Sequence, residues 1–222
     1  MATDLAQGVA WCEATLGVTP GPGGEHPLMG THNRLLKIAT TEHRTAYLEI
    51  IAINPVAPHA VPTRARRWFD MDNPALQTHV AHHGPSLIHF VAGVSDIAAS
   101  VSTLAKQGID RGAVLQASRP TASGLLQWQI SVRDDGQRLF DGCLPTLIQW
   151  GHAQASDTFH PTDAMPASGV TLLGLQVQHP QAAALNAAYN ALQLSAVTAE
   201  TGPARLSAQL QTPKGVVTLH TP

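Results

Sequence analysis

The chain has 222 residues, 44% hydrophobic and 13% charged, with a formal net charge of −2. That is long enough for one large domain or two small ones around a sizeable core, and it lacks the basic surplus that holds nucleic acid or other polyanions. Cys12 and Cys143 form no CxxC pair or disulfide framework, no apolar run is long enough to span a bilayer, and the N-terminus lacks the regions of a signal peptide, so a cytoplasmic protein without membrane or nucleic-acid partners is expected. Protonating all twelve histidines would carry the formal charge from −2 to +10, so solubility and any imidazole-dependent binding should change as pH falls below about 7.

In chain order, Met1 to Gly17 reads as an amphipathic helix, with Leu5, Val9, Cys12 and Leu16 on one face, Thr3 or Asp4 as N-cap and Gly17 as C-cap. The glycine- and proline-rich stretch Pro20 to Gly30 reads as a loop. Two strands follow, His32 to Thr40 and Ala46 to Ile53. A Pro-punctuated connection leads into the basic residues Arg64, Arg66 and Arg67, which could hold an anion but more simply form a surface cluster. Asn73-Pro74 starts a short helix that stops at Gly84-Pro85. Its His79, His82 and His83 have helical metal-site spacing, yet with no Cys or carboxylate nearby they read as a solvated face.

The pattern then recurs. SLIHFVAGV (Ser86 to Val94) reads as a strand, and Ser95 or Asp96 starts a helix reaching Gln107. VLQASRP, LLQWQISV and LPTLIQW complete a βαβββ unit ending at Trp150. A polar linker carries His152, His160, Pro161 and Pro166. After it VTLLGLQV, a helix from Gln181 to Leu194, and the strands AVTAET, RLSAQLQT and VVTLHT give a third unit. The expected organisation is an α+β protein of repeated βαβββ modules with curved mixed sheets. Residues 1–55 form a first module, 56–85 a connection with a short helix, 86–150 a second module, 151–168 a linker and 169–222 a third module.

In Ala46 to Ile53, alternation puts Tyr47, Glu49, Ile51 and Ile53 on one face and Leu48, Ile50 and Ala52 on the other. A carboxylate in so apolar a strand needs a partner, such as a cation, a ligand hydrogen bond or a nearby Arg. Aligning AYLEI, TLIQW and VTLHT as last strands puts Glu49, Gln149 and His220 at one repeat position. The first unit has only Met1-Ala2-Thr3 before its helix and so lacks an opening strand. The gap beside the Glu49 strand is expected to be filled by the third module or a second copy of the chain, or left open, unless a native start lies upstream.

GEHPLMGTHN, followed by a strand and then YLEIIAINP (Tyr47 to Pro55), resembles the glyoxalase-like branch of the vicinal oxygen chelate superfamily. The resemblance implies βαβββ modules curled around a cup and an enzyme acting on a small oxygen-rich metabolite, of isomerase, lyase or dioxygenase type. The alternative it leaves open is a non-catalytic protein of the same fold that binds or sequesters a small ligand. In metal-using relatives the ligands come from the first and fourth strands of paired modules. His89 matches such a position, so His89 and Glu49 become candidate ligands for Zn, Mn, Ni or Fe, although the cofactor set is equally compatible with no metal. His32 and Asn33 lie in the Gly-Thr-x-Asn element of the motif. His32 is a candidate general base beside Glu49, and Asn33, with Gln149, a candidate for holding substrate. His26, in the preceding loop, could close over a ligand or simply be solvated. Trp128 and Trp150 are candidate pocket walls, or core. The expected partner is a small molecule, with a homodimer as the one macromolecular assembly compatible with the sequence.

Overall fold

The computed structural model describes residues 1–57, 66–121, 124–151 and 160–222. Arg64 of the basic cluster and His152 of the linker lie outside the described residues. Helix α1 (Leu5–Thr15) starts where the Asp4 side chain accepts a 2.8 Å hydrogen bond from the Gln7 amide, satisfying a donor that a helix start leaves unpaired. It buries Gly8, Cys12 and Leu16, while Leu5 and Val9 are only partly covered. A Cβ at Gly8 would overlap Ile50 Cγ2, so glycine sets how closely the helix lies on its sheet.

That sheet is antiparallel, in the order β1 (Glu25–His26), β2 (Thr31–Lys37), β3 (Tyr47–Ile53). Strand β1 falls inside the stretch expected to be loop. Its neighbouring glycines let the backbone run against β2, where Gly21 N–H bonds Leu35 O at 2.8 Å and Asn33 N–H bonds Gly24 O at 3.0 Å. The face of β3 bearing Leu48 and Ile50 packs with α1, and the face bearing Ile51 and Ile53 packs with the second sheet, as alternation requires.

Helix α2 (Pro74–His83) is capped by Asn73 and ends at Gly84, whose φ is +84°. The second sheet has the order β4-β7-β6-β5, with β4 (Val91–Gly93) parallel to β7 (Thr146–Trp150) and the pairings of β6 (Gly124–Val132) with β5 (Ala113–Thr121) and β7 antiparallel. Helix α3 (Ile97–Ala105), capped by Asp96, joins β4 to β5. The opening strand is shorter than SLIHFVAGV suggested, and His89 lies ahead of it. Backbone groups of Ser86 and Ile88 are taken elsewhere, by Met1 and by Arg138 Nη1 (2.6 Å).

The third unit keeps the βαβββ order along the chain as β8 (Thr171–Gln178), α4 (Ala182–Ala191), β9 (Ala199–Glu200), β10 (Arg205–Thr212) and β11 (Gly215–His220). Its sheet order differs, β11-β10-β8-β9, which puts the opening strand inside the sheet rather than beside the last strand. Each of the three apolar clusters joins two units. Ile51 meets Trp128, Ile130 and Ile148; Leu16 and Ile50 meet Leu172 and Leu210; Leu104 and Leu147 meet Leu185 and Tyr189. A fully buried side chain of this size contributes about 1.5–3 kcal/mol, so the α+β fold is held by contacts between its repeats.

Met1 and Ala2 stand where an opening strand of the first unit would run. Ala2 N–H bonds Ile51 O at 2.9 Å as Val94 N–H bonds Ile148 O at 2.8 Å, and Met1 exchanges two backbone bonds with Ser86. Burial pushes the Met1 amine down to about 5. Past Met1 the edge of β3 borders a cavity of about 450 Å³, to whose wall Leu172, Leu175 and Leu194 of the third unit contribute.

Candidate functional site

In β2 the side chains of Thr31, Asn33 and Leu35 face inward, toward the second sheet, and on the adjoining β3 Tyr47 and Glu49 do the same. The Asn33 carboxamide sits at the centre of a short network. Its Oδ1 accepts the Gly24 N–H at 2.8 Å, and its Nδ2 donates to Glu49 Oε1 at 2.6 Å and stands 3.3 Å from His26 Nε2. A backbone N–H can only donate, so Gly24 fixes which end of the amide is oxygen. Nδ2 therefore gives one hydrogen to Glu49 and the other to His26 Nε2. His26 must then carry its proton on Nδ1, which donates to Thr31 Oγ1 at 3.0 Å. The ring is 8% exposed, and burial lowers its pKa despite the opposing pull of Glu49 3.8 Å away. His26 is thus a neutral orienting group.

Around this network lies a small cavity of about 40 Å³ walled by Trp68, Phe69, Trp128, Ile130, Ile148 and Trp150. Trp128 and Trp150 are neighbours on paired strands with ring centroids 5.7 Å apart, and Trp68 stands edge-on to His26 at 5.0 Å. Phe69 is held with φ at +60°, a left-handed conformation costly for a non-glycine residue. The next residue, Asp70, is tied to Arg138 Nε at 3.0 Å and by its own N–H to Gly136 O at 2.9 Å. Burial, then the charge of Glu49, raises the Tyr47 pKa. Two donors of lining residues, Trp68 Nε1 and Arg119 Nη1, are buried with no hydrogen-bond partner among the described residues. Tyr47, Glu49, Phe69 and Trp150 also line the cavity of about 450 Å³, while Leu35, Arg119 and Pro161 also line an open cleft of about 930 Å³.

Of the residues singled out in the sequence, His26, Asn33, Glu49, Trp128 and Trp150 come together here, His26 buried in the wall rather than solvated. His32 does not. As the neighbour of Asn33 in a strand it projects from the opposite face, and burial lowers its pKa there against the opposing charge of Glu25. Gln149 is also misplaced by the repeat alignment. Ile51 and Ile148 accept equivalent bonds, and they pair with Asn33 and Ile130 in equivalent registers. The true counterpart of Glu49 is therefore Thr146. The alignment was shifted by three residues, an odd number, which turns a side chain to the other face of a sheet. There Gln149 Oε1 accepts the Ile97 N–H at 2.9 Å and fixes the start of α3. His220 lies on the outermost strand, bonded to Ser207 Oγ at 2.8 Å. Tyr47, Trp68 and Arg119 were not anticipated. Only Tyr47, two residues before Glu49, carried a signal.

His89 borders the larger cavity, but both its nitrogens are engaged. Nδ1–H donates to Gly142 O at 2.9 Å, and Nε2 accepts the Thr146 N–H at 3.0 Å. Burial pushes its pKa down to about 3. The lone pair a metal would need is thus already used by a backbone amide. The imidazole nearest Glu49 in the network, His26, accepts from Asn33, and no group of three or more His, Cys, Asp or Glu suited to a metal ion occurs among the described residues. The donor set found here does not fit a divalent cation.

A comparison with curated protein sequences finds no match. Among solved structures, a Streptomyces coelicolor methylmalonyl-CoA epimerase variant in complex with 2-nitronate-propionyl-CoA is 18% identical, over 70% of this chain and 92% of that one, with a TM-score of 0.39. Methylmalonyl-CoA epimerase from Mycobacterium tuberculosis is 14% identical, over 67% and 81%, with a TM-score of 0.37. A family profile described as the glyoxalase-like domain matches residues 1–193, from the first helix through the end of α4. The chain belongs to the glyoxalase-like domain family.

Proposed function

We propose that the chain is an enzyme that moves a proton at a carbon next to a carbonyl in a small oxygen-rich metabolite, with Glu49 as the base. The observation that carries this reading is the Glu49 carboxylate, 26% exposed, set in a cavity walled mostly by aromatic and aliphatic side chains and oriented through one oxygen by Asn33. A carboxylate so placed is ready to take a C–H proton. The electron pair of the broken bond moves onto the carbonyl oxygen, giving an enolate, and the Trp68 Nε1–H in the wall is a donor suited to that charge. Return of the proton from Glu49 to the same face of that carbon gives exchange with solvent hydrogen without inversion, and its delivery to the neighbouring carbon gives isomerisation. Asn33 and His26 position the carboxylate, and the tryptophans exclude water.

The test is exchange in deuterium oxide. Carbonyl metabolites bearing an α-hydrogen are incubated with the protein, and loss of that hydrogen is followed by proton NMR. Exchange that depends on Glu49 supports the proposal. Ligand-induced thermal stabilisation with no exchange by any compound selects the binding-protein reading instead.

A further inference from the structure

Arg119 stands where the inner cavity meets the open cleft. Among the described residues, five arginines are buried or partly buried: Arg67, Arg111, Arg119, Arg133 and Arg138. Arg67 pairs with Asp72, Arg133 with Asp110 and Asp135, and Arg138 with Asp70. Arg111 gives a 2.7 Å hydrogen bond to Thr146 Oγ1 and has two further buried donors without partners among the described residues, but unlike Arg119 it borders neither the inner cavity nor the cleft. Among the described residues Arg119 has no acid within ion-pair distance, and its Nη1 is buried with no hydrogen-bond partner. A guanidinium nitrogen held away from water without an acceptor is costly, and the partly buried Arg119 side chain borders both the inner cavity and the cleft, from which an acceptor could come.

The backbone beside it is shaped to admit it. A Cβ at Gly24 would collide with Arg119 Nη1, and a Cβ at Gly23 with the Asn33 carbonyl. Gly24 thus keeps room for the guanidinium, and Gly23 lets the same segment lie against Asn33, which the Gly24 N–H orients. The guanidinium and the Glu49 carboxylate line one cavity without pairing with each other. This separation is what a ligand needs if it presents an anionic oxygen group to one and an acidic C–H to the other.

We infer that Arg119 binds a carboxylate of the substrate, and that the site takes carbonyl compounds carrying a carboxylate, such as 2-oxo or 3-oxo acids. The planar donor fork of arginine matches two carboxylate oxygens. The inference rests on the reading of this cavity as the substrate site, and names the substrate class.

The probes are 2-oxobutyrate, acetoacetate and malonate, each against its methyl ester, with binding measured by calorimetry and exchange by NMR in deuterium oxide. The wild-type protein should bind at least one acid more tightly than its ester. Arg119→Met should weaken that acid by about tenfold or more, the scale of losing one charge-assisted contact, and leave the ester unchanged. Arg119→Lys should retain part of the preference. Gly24→Ala, which displaces the guanidinium without removing it, should lose the preference while far-ultraviolet circular dichroism stays native. Arg119-dependent acid binding without exchange supports the carboxylate site and overturns the role given to Glu49. Exchange of the esters as fast as the acids, unaffected by Arg119→Met, overturns the carboxylate site and leaves Glu49 standing. Failure of all three acids to bind the wild-type protein likewise overturns the carboxylate site.

Discussion

Asn33 on one strand donates a 2.6 Å hydrogen bond to Glu49 on the next, and its amide cannot turn over because Gly24 N–H requires the oxygen on the other side. The carboxylate is therefore aimed by a side chain that is itself fixed by the glycine-rich segment before it. His26, accepting the second Nδ2 hydrogen, closes the arrangement.

Asn33→Ala should damage both function and stability. It strands the Gly24 N–H and leaves Glu49 Oε1 without its donor, and a buried polar group left unpaired costs about 1–3 kcal/mol. Chemical denaturation should show a loss in that range. Asn33→Asp keeps an acceptor for Gly24 but sets a carboxylate against Glu49, so it should impair exchange at least as severely as alanine.

Stability should fall as pH is lowered through the histidine range. His26 and His89 both have lowered pKa values in the folded chain, His89 to about 3. The unfolded chain takes up these protons near pH 6.5, the folded chain only at lower pH, so their contribution is fully present above about 6.5 and is lost progressively below it. Urea titrations at a series of pH values should show this slope. His89→Gln should flatten it, because it removes the titrating ring that joins Gly142 to Thr146.

Gly8→Ala tests the seat of the first helix. Alanine gains about 1 kcal/mol of helix propensity, but its Cβ would overlap Ile50 Cγ2 beneath the helix. Overpacking of this kind costs about 1–3 kcal/mol. The variant should be less stable than the wild type in denaturant unfolding, and a more stable variant would show that the helix can lift without loss.

The fold was legible because its signals are local. Asp4, Asn73 and Asp96 cap the helices they precede, and alternation placed Glu49 and Tyr47 on one face of β3. The pairing of Asn33 with Glu49 was within reach of the same reasoning, and so was the exclusion of His32, since adjacent strand residues face opposite ways. Gln149 was misread because repeat alignment by sequence tolerates a three-residue slip that a sheet does not. The sheet order of the third unit depends on which edges meet, which no local pattern records. Arg119 and Trp68 reach the cavity from segments remote in sequence from Glu49. His89 looked like a ligand by type and position, but its engagement by Gly142 and Thr146 is a tertiary fact.

The central claim is that Glu49 is the proton-transferring base, and the most direct measurement compares wild type with Glu49→Gln in deuterium oxide. Glutamine keeps the shape of the side chain and its ability to meet Asn33, but it cannot accept the substrate proton. Glu49→Gln should still bind the active carbonyl compound and unfold near the wild-type midpoint, while α-hydrogen exchange falls by about 100-fold or more, the range for loss of a general base. Exchange at the wild-type rate in Glu49→Gln, with binding intact, would contradict the claim.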